Sequence, residues 1–229
     1  MENDKKRIIK GFLALLTYFI ISLNIKDILG IFNISLENWS RNNIFIFNIV
    51  YEFTLLLIIF LILKDKIIKD FKIYSKNIKS YIKKYIKYWF LAMLLMYISN
   101  ILISLINNSI PQNEESVRQL FDINPILTCI LACIIAPLLE EFVFRLALYE
   151  ILKKKKWIFI IISGLLFGSM HVLGNITDVT ELLFIIPYSI PGCVFAYTLI
   201  ESDNIFVSSS LHFIHNTFAM ILQIIASFI

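Results

Sequence analysis

Glu140, Glu141 and Arg145 stand in the middle of ILTCILACIIAPLLEEFVFRLALYEIL, Ile126 to Leu152, a run otherwise apolar enough to cross a bilayer. Ionised groups at bilayer depth are costly, so they face a protein interior and mark function. His171 ends a second apolar run, GLLFGSMH, and His212 with Asn216 sits in the last one. Two carboxylates, an arginine, two histidines and an amide inside membrane helices are the parts of an active site.

The spacing sorts these groups. Glu141 and Arg145 are four apart and share a helix face, so they can pair. That pair serves equally as a structural clamp or as part of a site. Glu140 is turned about 100° from Glu141 by the helical period and is expected to be free of that pair. A free carboxylate in a dry site suits a general base for water. Pro137 removes a backbone hydrogen bond three residues earlier and can open the helix there. His171 and Glu140 fall at matching depth, roughly 18–21 Å from the cytoplasmic end of their helices at 1.5 Å per residue. Gly164, Gly168 and Ser169 form a small face that lets a neighbouring helix come close. His212 and Asn216 are four apart and project together, with tilt needed to bring them level with Glu140. His215 is expected to point away from this group, as a partner for Ser208 to Ser210 or as an interface residue.

The elements that must carry these side chains follow from hydropathy and charge. The chain has 229 residues, 59% of them hydrophobic, which with the recurrent long apolar runs defines a polytopic membrane protein. About seven spans are predicted, at 8–25, 43–63, 88–106, 126–152, 157–173, 182–200 and 205–228, each near the ~20 residues a bilayer core requires. The fold class is therefore an all-α membrane helix bundle. The first span follows four basic residues but lacks a small-residue cleavage pattern, so a retained helix is expected.

If the seven spans alternate, 17 of the 21 basic residues fall on one side, in the N-terminal tail, in segment 64–87 and in Lys153 to Lys156. Lys26, Arg41 and Arg118 fall on the other, and Arg145 lies within a span. This predicts a cytoplasmic N-terminus and an external C-terminus. The acidic turn ESDN at 201–204 is the poor fit on the cytoplasmic side. Residue usage rich in Ile, Lys and Asn suggests a bacterial source and hence a bacterial plasma membrane. Segment 64–87 carries nine lysines with Ile67, Phe71, Tyr74, Ile78, Tyr81 and Tyr85 at helical spacing. It is predicted as an amphipathic interfacial helix that continues into the third span, either a topological anchor or a contact for anionic lipid. Asn124-Pro125 is a helix start, a cap followed by a first-turn proline. Cys129, Cys133 and Cys193 make no metal-type pair and no disulfide framework. The basic balance belongs to membrane topology, and nothing points to nucleic acid.

The motifs EExxxR (Glu140, Glu141, Arg145), FxxxH (Phe167, His171) and HxxxN (His212, Asn216), in that order and each within a predicted span, resemble the CPBP family of intramembrane proteases, also called the Abi or CAAX-protease-like family. The resemblance runs from about Pro125 to Ala219. It makes 125–219 the catalytic core of a single membrane domain, 1–229. It implies that the helix bundle holds a central polar cavity, with peptide-bond hydrolysis there on a membrane-associated peptide or protein. Carried over by position, Glu140 would be the general base, His171 would hold the water, and His212 and Asn216 would polarise the carbonyl. Glu141 and Arg145 would be supporting residues. No HExxH is present, so a metal-free glutamate mechanism is favoured, with no cofactor. If zinc is bound, His171, His212 and Glu140 would be its ligands. Two other readings stay open. One is a non-catalytic peptide-binding or bacteriocin self-immunity protein using the same cavity. The other is a transporter with a proton-relay carboxylate, disfavoured because the spans show no paired repeat.

Overall fold

A computed structural model describes residues 2–107, 112–174, 176 and 178–226 of the chain. Every element among the described residues is helical. The helices are α1 (Glu2–Leu23), α2 (Ile25–Ile31), α3 (Arg41–Asn107), α4 (Gln112–Ile123), α5 (Pro125–Leu152), α6 (Lys156–Val172), α7 (Val179–Ser202, opening with a tight 3₁₀ stretch) and α8 (Ile205–Ala226). Residues 227–228 of the predicted last span lie outside the described residues. The protein is an integral membrane protein built as a helical bundle.

The largest departure from the predicted elements is α3. The second span, the lysine-rich segment and the third span form one continuous helix, broken only at Asn77, whose backbone leaves the helical region. Tyr74 and Tyr81 are seven apart, about 10 Å along a straight helix. Their rings stack at 5.8 Å because the chain folds between them. The two arms then run in opposite directions. In the first, Phe45 packs on Leu131 and Ile135 while Ile67 packs near Ile205. In the second, Tyr85 and Trp89 pack near Val207 and Leu211, and Ile103 ends on Val172 and Phe184. Within the lysine-rich segment Ile67, Tyr74 and Tyr85 are buried against the bundle, whereas Phe71 and Ile78 stay exposed.

By helix length and apolarity alone, four helices can cross a membrane, or five if α1 and α2, bent by 71°, count as one span. The difference from seven has two plain sources. The folded α3 is a single helix in that count, and α6, at 17 residues, is short.

Four segments meet at one end of the bundle. Arg7 donates to the carbonyls of Tyr149 and Glu150, Lys10 pairs with Asp65, and Lys154 with Asp4. Lys66 reaches Asp203 at 3.0 Å and Lys156 reaches Glu201 at 2.5 Å. The acidic turn 201–204 thus lies among the lysines and offsets part of their charge. Buried Asp70 binds the same turn, accepting from the Ile205 amide at 3.0 Å and so capping α8, while Asn204 donates to its backbone carbonyl. Burial opposes the charge on Asp203, but hydrogen bonds from Lys66 and Tyr149 outweigh it and hold its carboxyl below the ordinary range. At the opposite end Asn124 caps α5, its side chain accepting from the Leu127 amide at 3.0 Å.

Candidate active site

Two widened turns shape α5. Residues Leu131–Ile135 and Glu141–Ala147 are π-helical, on either side of Pro137. Proline has no N–H to donate, so the turn before it loses a rung and the helix widens. The widened turn at Glu141 changes the direction expected from a regular period. Glu140 and Glu141 do not diverge; both carboxylates reach the same imidazole. Nδ1 of His212 lies 3.1 Å from Glu141 Oε1, and Nε2 lies 3.5 Å from Glu140 Oε2. The expectation that Glu140 stands apart from its neighbour's contacts is corrected accordingly.

Glu141 also meets Arg145, whose Nε is 3.2 Å from the same Oε1. Glu141 and Arg145 are both fully buried. A carboxylate can only accept, so Nδ1 of a neutral His212 carries the proton donated to Glu141 and its Nε2 edge is turned to Glu140. The Nε2–Glu140 gap is about half an ångström beyond a normal hydrogen bond. The His212 ring is clamped by aromatics, stacked on Phe195 at 5.0 Å and edge-on to Phe167 at 5.5 Å.

His171 is positioned by its own helix and by α7. Its Nδ1 is 2.9 Å from the Phe167 carbonyl, which can only accept, so this nitrogen is the donor and Nε2 is left free. The ring stacks on Tyr188 at 4.9 Å and packs on Phe167 at 4.3 Å. Close contact of α6 and α7 makes this possible. A Cβ at Gly168 would run into Ser189 Oγ and the Ile185 carbonyl, and one at Gly164 into Cys193 Sγ. Among the described residues, His171 and Glu140 share no hydrogen bond or ion pair; the imidazole beside Glu140 is His212.

Asn216 donates to the Ala132 carbonyl at 2.8 Å, a carbonyl within the first widened turn. This contact orients its amide and leaves the second N–H available. His171, His212 and Asn216 line one cavity of about 390 Å³, together with Phe167, Tyr188 and Phe195. Its outer part is walled by the second arm of α3, at Tyr97 and Asn100, and by α4, at Glu114 and Arg118. Two corrections follow. His215, expected to face away, lines the same cavity, and Glu140, expected to line it, does not. The serines before His215 are engaged elsewhere: Ser208 and Ser209 bond the Ile205 carbonyl and Ser210 the Tyr74 hydroxyl.

The aromatic frame was invisible to motif reading. Phe167 touches Arg145, His171 and His212 at once, with the guanidinium carbon 4.1 Å from its ring centre. Phe195 takes the other side of Arg145 at 5.6 Å. The only sequence trace is Phe167 in FxxxH; nothing distinguishes Phe195 or Tyr188 from the other aromatics of an apolar helix. The three residues named as zinc ligands, His171, His212 and Glu140, do not come together as a group able to hold a metal ion, and no other such group occurs among the described residues.

Comparison with known proteins bears on the same stretch. Residues 122–218 match the family model described as Type II CAAX prenyl endopeptidase Rce1-like. Among curated proteins, the chain is similar to "Putative membrane peptidase YdiL" of Bacillus subtilis (strain 168), with 29% identity over 115 residues, 49% of this chain and 43% of that protein. It is also similar to "UPF0177 protein YvdC" of Lactococcus lactis subsp. lactis (strain IL1403), with 26% identity over 137 residues, 59% of this chain and 50% of that protein. The chain spans about half the length of the curated relatives it matches. No solved structure matches. Glu140, Glu141, Arg145, His171, His212 and Asn216 all fall inside the matched stretch, and over residues 122–218 the chain resembles the CPBP, CAAX-protease-like family of membrane endopeptidases.

Proposed function

We propose that the protein is an intramembrane endopeptidase that hydrolyses a peptide bond of a membrane-associated peptide or protein. The observation that carries this reading is His212, held at the wall of the 390 Å³ cavity by Glu141 at 3.1 Å, with Glu140 3.5 Å from its other nitrogen. A bilayer span has no structural need for that expense, whereas a site that must move a proton next to a carbonyl does. Glu140 takes a proton from water, and the hydroxide oxygen bonds to the carbonyl carbon. The free N–H of Asn216 stabilises the oxygen on which charge develops, and the Nε2 edge of His212 joins it once that nitrogen carries a proton. The C–N bond then breaks, and the proton passes from Glu140 to the departing amine. His171, with its donor nitrogen committed to Phe167, offers Nε2 to hold the water. Glu141 and Arg145 support the site by orienting His212.

The reading extends to the setting. Residues 1–229 act as a single membrane domain of a bacterial plasma membrane, with 125–219 as its catalytic core. The lysine-rich end of the bundle faces the cytoplasm, as the 17-to-3 division of basic residues favours. The substrate is met within the bilayer.

One observation favours a second reading, a peptide-binding or self-immunity protein that does not cleave. Glu140 is not among the residues that line the cavity. Comparing membrane peptides of cells carrying the wild type with those carrying Glu140→Gln separates the two. Peptides that accumulate only with the variant, with matching cleaved fragments in the wild type, support the protease. Identical peptide pools with equal protein levels end it and leave the binder.

A further inference from the structure

Glu52 lies in the first arm of α3, outside residues 122–218 and outside every motif. It is the one charged side chain between Arg41 and Lys64. Such a residue within a span calls for a functional partner. Its Oε2 is buried with no hydrogen-bond partner among the described residues, and the same is true of Glu140 Oε2. The two carboxylates lie within electrostatic reach of each other, and Tyr18 of α1 is within reach of both. Tyr18 is seated edge-on against Phe144 of α5 at 5.4 Å. Beside it, the Tyr51 hydroxyl donates to Ser22 at 3.2 Å and ties α3 to α1. The three helices α1, α3 and α5 therefore bring Tyr18, Glu52 and Glu140 into one polar cluster.

This cluster is not part of the cavity described above. The Glu140 side chain keeps 22% of its surface open, yet it does not line the cavity. His212 does line the cavity and also touches Glu140. The His212 imidazole stands between the cluster and the cavity. Buried polar atoms that lack a protein partner are held by water, and a water needs 2–4 polar partners to stay. Two carboxylates and a phenol supply them.

We infer that a water-filled crevice runs between α1 and the first arm of α3 and delivers water to the site, with Glu52 as a positioning residue that holds that water against Glu140, while the peptide occupies the cavity on the other side of His212. The role in turnover rests on the endopeptidase reading; the wetness of the crevice does not. Separate compartments let the base stay hydrated while an apolar peptide fills the cavity.

Two measurements on the full chain in proteoliposomes test this. First, Glu52→Cys, in a background with Cys129, Cys133 and Cys193 changed to alanine, is treated with a charged, membrane-impermeant methanethiosulfonate from each side. Leu57→Cys on the exposed side of the same arm is the control. Glu52→Cys should react at least tenfold faster than Leu57→Cys. Equal, negligible rates mean a dry crevice and overturn the inference, whether or not the protein cleaves anything. Second, with a peptide pool from the membrane proteome as substrate, Glu52→Leu should lower kcat at least tenfold with KM within twofold, and Glu52→Gln should recover to within about threefold of wild type. Loss expressed in KM instead, or no loss with leucine, overturns the positioning role. A wild type that cleaves nothing while Glu52→Cys reacts fast refutes the protease and keeps the wet crevice.

Discussion

The guanidinium of Arg145 sits 4.1 Å from the ring centre of Phe167, and that ring also carries His171 on its surface. A cation buried in a bilayer protein is thus stabilised by more than its ion pair with Glu141. The same ring that stabilises the charge sets the position of two imidazoles. Phe167→Leu should therefore leave the protein folded but lower turnover by about tenfold or more, since misplacement by an ångström costs up to about a hundredfold. Circular dichroism and a thermal melt in detergent, beside peptide cleavage, measure this. Wild-type turnover with leucine would mean that the ring does not position the histidines.

Glu140→Gln should abolish hydrolysis and preserve the fold. Glutamine keeps the shape and removes the base, and a base contributes about 10²–10⁴-fold. Retention of more than about a tenth of wild-type turnover would be incompatible with Glu140 as base.

Arg145→Ala should destabilise more than Glu140→Ala does. It leaves Glu141 buried without its cation, a change that costs about 3–5 kcal/mol when one partner of a buried pair is removed. Glu140, with part of its side chain open, loses less. Expression level and melting temperature should rank the two variants in that order, and equal losses would remove Arg145 as counter-ion.

Reporter fusions at Lys156 and at Ile229 should report opposite sides of the membrane. The motivation is that the N-terminal tail, the start of the lysine-rich segment, the α5–α6 turn and the 201–204 turn all meet at one end of the bundle, tied by Lys154–Asp4, Lys10–Asp65 and Lys66–Asp203. Fusions on the same side would require one span more or fewer after Lys156.

The Asp203 network makes stability pH-dependent in a defined direction. A carboxyl held below its ordinary range contributes stability that is present above the unfolded value, about 3.9, and is lost as pH falls through the lower folded value. Asp203→Asn should lower the melting temperature slightly at pH 7, with the wild-type advantage vanishing below about pH 4. An advantage that persists in acid would show that the side chain acts by packing.

Much of this protein is determined by the order of its residues. Apolar runs of span length, the lysine blocks between them and the Asn124-Pro125 cap are local or additive properties, so they dictate an all-helical membrane bundle and its helix starts. The spacing of Glu141 with Arg145, and of His212 with Asn216, survives because a helix brings residues four apart together whatever surrounds it. The tertiary structure decided everything that depends on which helix stands beside which. The widened turns around Pro137 rotate Glu140 and Glu141 onto one imidazole, against the regular period. The fold at Asn77 converts two spans and an expected interfacial helix into one bent helix, because its buried aromatics find partners on α8 that no local rule reveals. Glu52 is a single glutamate in an apolar run until α3 packs against α1 and α5, and only then does it come within electrostatic reach of Glu140. Side chains from distant segments meet through packing, and packing is a property of the whole chain rather than of any spacing within it.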